Sequence, residues 1–230
     1  MGNALVGALA RELVGTESSE AFARLARSAL IAEFDLTVAE LVGDQDAAYL
    51  RTVPDRVPPD VADAVVDLWR VARRVEQLAH DAAHDSLTGL LNRRSFDRKL
   101  NQAVAGAARY GWTFALVLID LDGLKLINDE HGHGVGDDVL RAVGQQLECS
   151  VRTEDVAARL GGDEFGLVVM ESDAAHIREL LARVTTAVNH VLPGLVITLS
   201  SGAALVPDDG NDPDALYRLA DARLYRSKRG

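Results

Sequence analysis

Across residues 85–230 the apolar positions switch repeatedly between two periods. Spacing of three and four predicts helices over 93–109, 135–150, 176–191 and 212–227. In the second of these, Val139, Leu140, Val143 and Leu147 share one face. Short apolar runs of strand length lie between them, at 114–120, 156–160, 165–170 and 196–205. The middle two runs flank a Gly-Gly turn and predict a hairpin. Alternating helices and strands with one such hairpin predict an α/β sandwich, its central mixed sheet covered by helices.

Upstream the pattern differs. Residues 1–58 read as a small all-α region, a candidate sensor or dimerisation element. Thr16 or Ser18 offers an N-cap for a helix carrying Phe22, Leu25, Ala26, Ala29 and Leu30 at helical spacing. "VPDRVPPD", residues 53–60, breaks the pattern. A third segment, 59–84, places Val61, Val65, Leu68, Ala72, Val75, Ala79 and Ala82 at 4,3 spacing. Such a strip serves either an amphipathic helix packed on its own domain or a parallel coiled coil leading into the 85–230 domain. His80 and His84 are four apart on it, but no third ligand suggests a shared metal.

Composition narrows the class. Of 230 residues, 48% are hydrophobic and 26% charged, as in a globular protein. The single cysteine, Cys149, excludes an internal disulfide and fits a reducing cytoplasm. No apolar run approaches the roughly 18–20 residues of a membrane span. The N-terminal segment lacks the basic start of a leader, and Val6 stands where a myristoylation signal wants Ser or Thr. The expectation is a cytoplasmic protein with no membrane partner. Net charge is −11, with three lysines: Lys99, Lys125 and Lys228. That surface repels nucleic acid. A phosphorylated small molecule would need divalent cations and a few well-placed basic groups.

Two segments carry candidate chemistry. In "LVLIDLDGLKLINDEHGHGVGDDVL" a buried strand ends in Asp120 and Asp122, and alternation puts both carboxylates on one side. Their repulsion is relieved by a cation between them, and Mg²⁺ is the best match for hard oxygen ligands. Acidic turns are also common without metals. In "RLGGDEFGLVV" the glycines Gly161 and Gly162 allow positive φ and close approach of a ligand, beside Asp163 and Glu164. If the hairpin lies beside the Asp120 strand, three or four carboxylates surround one point, as in two-metal phosphoryl-transfer sites.

These segments resemble the GGDEF-domain diguanylate cyclases of bacteria. "DSLTGLLNRRSF" and the closing "LADARLYRSK" extend the resemblance over residues 85–228, in the family's order. It implies a fold like polymerase palms and nucleotidyl cyclases. Each domain would bind one GTP, and a homodimer would condense two GTP into cyclic di-GMP with release of pyrophosphate. By similarity Asp120, Asp163 and the backbone carbonyl of Leu121 hold two Mg²⁺ (or Mn²⁺) ions per active site. Glu164 is a further ligand or favours deprotonation of the 3′-hydroxyl. Asn128 and Asp137 match the guanine-reading pair. Lys125 and Lys228 match phosphate contacts, and backbone N–H groups near Gly123 and Leu124 would cradle the β- and γ-phosphates.

"RTED" places Arg152 and Asp155 three apart upstream of the hairpin. Spacing alone reads as a surface ion pair. The resemblance implies instead a product-inhibition site for cyclic di-GMP, with Arg159 supporting it or the active site. Leu124 stands where many members carry Phe, Gly123 loosens the phosphate loop, and the chain stops at "SKRG", short of the usual basic extension. His131 and His133 read as loop-structuring. The readings left beside an active cyclase are a catalytically silent GTP or cyclic di-GMP receptor and a cyclase making another dinucleotide.

Overall fold

The computed structural model describes residues 2–16, 18–36, 38–42, 48–53, 57–192 and 194–229, in two compact units, Met1–Ala82 and Ala83–Gly230. The first unit contains α1 (Gly2–Leu13), α2 (Ser19–Phe34), β1 (Val38–Val42), β2 (Tyr49–Val53) and nearly all of α3 (Pro59–Ala83). Ser18 caps α2 by accepting the Ala21 N–H at 3.1 Å. Phe22, Ala26 and Leu30 of α2 are buried with Leu9, Val61, Val65, Trp69 and Ala72.

Helices precede the main sheet as expected, but the first region is not all-α. β1 and β2 pair antiparallel from Val38↔Val53 to Val42↔Tyr49. In a five-residue run periodicity alone does not separate a strand from a helical turn, which is why "VAELV" read as helix. Of the predicted break at 53–60, residues 54–56 lie outside the described residues. Pro59 opens α3, where the missing N–H costs nothing.

The 4,3 strip along α3 divides. Val61, Val65 and Ala72 are buried in this unit's core and Leu68 packs against it. Val75 and Leu78 are 60% and 52% exposed.

The second unit holds the sheet and its helices: β3 (Leu91–Asn92), α4 (Arg93–Tyr110), β4 (Phe114–Leu121), α5 (Leu124–His131), α6 (His133–Ser150), β5 (Val156–Gly161), β6 (Glu164–Met170), α7 (Ala174–Val191), β7 (Leu199–Val206) and α8 (Pro213–Ser227). Strand order is β3-β5-β6-β4-β7. β3 and β5 run parallel and the other neighbours antiparallel, which makes the predicted mixed sheet.

β4 is buried along its whole length, so its sequence is a continuous apolar run. Alternation divides its side chains between two cores. Ala115, Val117, Ile119 and Leu121 meet Val139, Val143 and Leu147 of α6 and Leu180 and Val184 of α7. Phe114, Leu116 and Leu118 meet Phe96 and Leu100 of α4 and Leu216, Ala220 and Leu224 of α8. Each fully buried Leu or Phe contributes about 1.5–3 kcal/mol, so the centre of the sheet is a rigid base for whatever stands at its ends.

Candidate active site

The alternation that sends Leu116 and Leu118 toward α4 and α8 carries Asp120 to the same face. Asp120 is 5% exposed. Burial pushes its carboxyl above the usual range; Asp163 and Asp122 push the same way, and Lys228 opposes them. Lys228 caps the end of α8, with Nζ 2.6 Å from Asp120 Oδ2. That hydrogen bond raises the lysine's own pKa.

The hairpin joins this strand end through the backbone. Asp120 lies in register with Glu164, and the Leu121 N–H donates to the Asp163 carbonyl at 3.0 Å. The ladder shifts register between Arg159 and Gly161. Gly162 takes φ 54°, a conformation that favours glycine, and no heavy atom lies within 4 Å of where its Cβ would stand. The turn is therefore open for backbone to meet a ligand.

A clamp holds the turn from behind. Arg159 donates from Nε and Nη2 to the Gly162 carbonyl at 3.0 and 2.8 Å, and from Nη1 to Asp85 at 3.1 Å. Asp85 also accepts the Thr88 N–H at 2.9 Å and hydroxyl at 2.8 Å. Burial pushes the Asp85 carboxyl up, but the Thr88 and Arg159 hydrogen bonds outweigh it and hold it below the usual range.

Asp122 departs from the expected open pair. Its two oxygens accept from the hydroxyls of Thr198 and Ser200 at 2.9 and 2.8 Å, and its N–H donates to the Thr198 carbonyl at 3.1 Å. It lies one residue past β4, where strand alternation no longer fixes its direction, and it fastens β4 to β7.

α5 begins directly afterwards. Gly123, at φ 74°, precedes it without a side-chain cap, so the first-turn N–H groups at Leu124 and Lys125 have no intrahelical acceptor. That terminus favours anions. Farther along, Asn128 packs against Gly136 so closely that a Cβ there would collide with its amide. Asn128 Oδ1 is buried without a hydrogen-bond partner, and Asp137 follows Gly136 on α6. Arg152 and Asp155 stand apart, at the opposite end of β5 from Gly161.

Residues 82–230 match the family model described as "Diguanylate cyclase, GGDEF domain". The chain belongs to the GGDEF family. Among curated relatives, it is 40% identical over 162 residues to the bifunctional diguanylate cyclase/cyclic di-GMP phosphodiesterase MucR of Pseudomonas aeruginosa, covering 69% of this chain and 24% of MucR. To diguanylate cyclase TpbB of the same species it is 37% identical over 172 residues, covering 71% and 40%. The chain thus spans less than half the length of either relative. The solved coiled coil and GGDEF domain of DgcB from Caulobacter crescentus, in complex with c-di-GMP, superposes with a TM-score of 0.67. Identity there is 32%, with 74% of this chain and 93% of that chain covered.

For a GGDEF domain the chemistry of the strand end fits a hard divalent cation. Burial and two acidic neighbours raise the Asp120 pKa, and an added positive charge offsets that cost. In the structure the Lys228 ammonium supplies the charge, and among the described residues no three His, Cys, Asp or Glu side chains are grouped closely enough to hold a metal.

Sequence reasoning gave no role to Asp85, Thr88, Thr198 or Ser200. Asp85 and Thr88 lie in "DSLTGLLNRRSF", a quoted motif whose residues had no visible chemistry until Arg159 reached them. Tyr217 was missed as well. Burial raises its pKa, Arg93 opposes that, and Glu164 adds to it, while the Arg93 guanidinium lies 5.5 Å from the ring centroid.

Proposed function

We propose that the 85–230 domain is a diguanylate cyclase, condensing two GTP into cyclic di-GMP and two pyrophosphates across a homodimer. Each 3′-oxygen forms a bond to the partner nucleotide's α-phosphorus as the bond from that phosphorus to pyrophosphate breaks. The observation that carries this reading is the meeting of Asp120 with the Asp163–Glu164 turn, immediately before the uncapped start of α5.

Asp120, Asp163 and the Leu121 carbonyl would hold two Mg²⁺ or Mn²⁺ ions, which supply Lewis acidity for the 3′-hydroxyl and neutralise charge on the triphosphate. Glu164, exposed at the head of β6, receives the 3′-hydroxyl proton or joins the ligands. The α5 N–H groups and Lys125 orient the β- and γ-phosphates, and Lys228 turns from Asp120 toward them. Asn128 and Asp137 read guanine, the unpartnered Oδ1 of Asn128 being an acceptor in want of a donor. Arg152 and Asp155 bind product and slow turnover.

One nucleotide per domain makes two domains necessary. The exposed Val71, Val75, Leu78 and Ala82 on α3, spaced 4,3,4, support a parallel helix pair that brings them together.

Incubation with GTP or ATP and MgCl₂, followed by chromatography, tests the reading. GTP should give one cyclic di-GMP for every two pyrophosphates. Binding of cyclic di-GMP with no turnover would replace the cyclase by a receptor, and an adenine-containing product would overturn the guanine assignment.

A further inference from the structure

At the end of the sheet away from Asp120, a cavity of about 1010 Å³ opens beside the end of α4 and the turn before β5. That is large for a small-molecule site. Lys99, Arg109 and Arg152 line it together with Glu154, Asp155 and Glu171, so its charges balance in a chain of net charge −11. Two aromatics line it too. Tyr110 and Trp112 are 61% and 47% exposed, with ring centroids 5.3 Å apart.

The aromatic pair is braced. A Cβ on Gly106 would collide with the Trp112 indole, so α4 backs the ring closely. The Arg109 guanidinium lies 5.2 Å from the Tyr110 ring centroid. Backbone ties also set the distance from Trp112 to Arg152. The Glu171 N–H donates to the Thr113 carbonyl at 2.8 Å, and the Met170 N–H donates to the Asp155 carboxylate at 2.8 Å. Trp112 thus precedes β4 and Arg152 precedes β5, with β6 between them. Two strand spacings, about 10 Å, separate the starts of β4 and β5, a span that suits a dinucleotide better than a single base.

The remaining polar groups fit the same ligand. Asp155 accepts from the Met170 N–H with one oxygen and from the Arg152 N–H with the other, each at 2.8 Å, so it shapes the turn while a second lone pair on each oxygen stays available to a guanine N–H. The Arg152 side chain is 59% exposed and only loosely paired, 3.9 Å from Glu154. Glu154 and Glu171 line the cavity as well. They oppose a bare polyphosphate but accept the N–H edge of guanine.

We propose that Trp112, backed by Gly106 and continued by Tyr110, is a purine-stacking wall of the product site. Cyclic di-GMP held at Arg152 lays one base on the indole. This rests on the reading of Arg152 as the product site, and stacking of one base on an aromatic ring is worth about tenfold in affinity.

The test titrates cyclic di-GMP into the full chain by calorimetry, and follows tryptophan emission in a Trp69→Phe background where Trp112 is the sole tryptophan. Trp112→Leu should weaken binding by about tenfold or more, Trp112→Phe should stay within about threefold of wild type, and Trp112 emission should change saturably. Wild-type affinity in Trp112→Leu, with binding lost in Arg152→Ala, overturns the wall and leaves the product site standing. Weak binding in Trp112→Leu with wild-type affinity in Arg152→Ala keeps the wall and removes the product-site reading. Wild-type affinity in both overturns both. Should Trp112→Leu not fold, Trp112 emission unmoved at saturating ligand overturns the wall by itself.

Discussion

At the scale of single residues, the carboxylates at the strand end differ in what holds them. Asp120 is buried and balanced by one ammonium, Asp122 is tied to two hydroxyls, and Asp163 is held through its backbone carbonyl. Both Asp122 oxygens already accept from hydroxyls and fasten two strands, whereas Asp163 is fixed through its backbone carbonyl and leaves its carboxylate for a ligand. Asp163→Ala should therefore keep the fold by circular dichroism and lower turnover of GTP by about 100-fold or more; turnover within about tenfold of wild type would contradict its role. Arg159 acts through the turn rather than on the nucleotide. Arg159→Leu frees the Gly162 carbonyl and leaves Asp85 without its cation, and should lower kcat by about tenfold or more through displacement of the turn. A kcat within twofold would show that the clamp is dispensable. Asp120, Asp163 and Glu164 were legible in the sequence because they sit where an apolar run stops. Asp85 was not, since its partner is 74 residues away and only the fold brings Arg159 to it.

At the scale of elements, the long helices and the central strands were legible because each presents a full face to one of two cores. Val139, Val143 and Leu147 on α6, or Phe114 to Leu121 on β4, declare their period by themselves. α5 has no buried residue, so no periodicity marked it. β3 has two residues, too few for a period, and β1 and β2, five each, are short runs that spacing alone does not tell from helix. Charge pairs then tie elements together. Arg223 of α8 donates to both Asp209 oxygens at 2.6 and 2.8 Å, which holds the Asp209 carboxyl low, against its burial and with help from the Leu205 N–H. Asp85 is held low as well. Carboxyls with lowered folded pKa values add stability that is fully present above their unfolded value near about 4, and that is lost as pH falls through the folded value. Denaturant unfolding at pH 5 and pH 3 should show the loss. Asp209→Asn should make that loss smaller and lower stability at pH 5 by about 1 kcal/mol, a small figure because Arg223 remains partly in water. An unchanged pH dependence in the variant would contradict the contribution of this pair.

At the scale of the whole molecule, the proposed condensation requires two chains, each presenting one GTP. α3 is one helix from Pro59 to Ala83, and its 4,3 strip serves the chain's own core as far as Ala72 and is exposed at Val75. Sequence spacing could not separate those two uses, because a buried face and a dimer seam share one period. Leu78→Asp should weaken dimerisation by about tenfold or more in sedimentation and lower the rate per chain most at low protein concentration; an unchanged dimer would contradict the helix pair. No helix among the described residues is long and apolar enough to cross a membrane. The central claim is that acids from the end of β4 and from the hairpin share divalent cations with bound GTP. Titration of Mn²⁺, followed by electron paramagnetic resonance, into protein saturated with a non-reactive GTP analogue tests it most directly. The account predicts two Mn²⁺ per chain in the wild type and an affinity at least about tenfold weaker in Asp120→Asn. Equal Mn²⁺ binding by both proteins would contradict it.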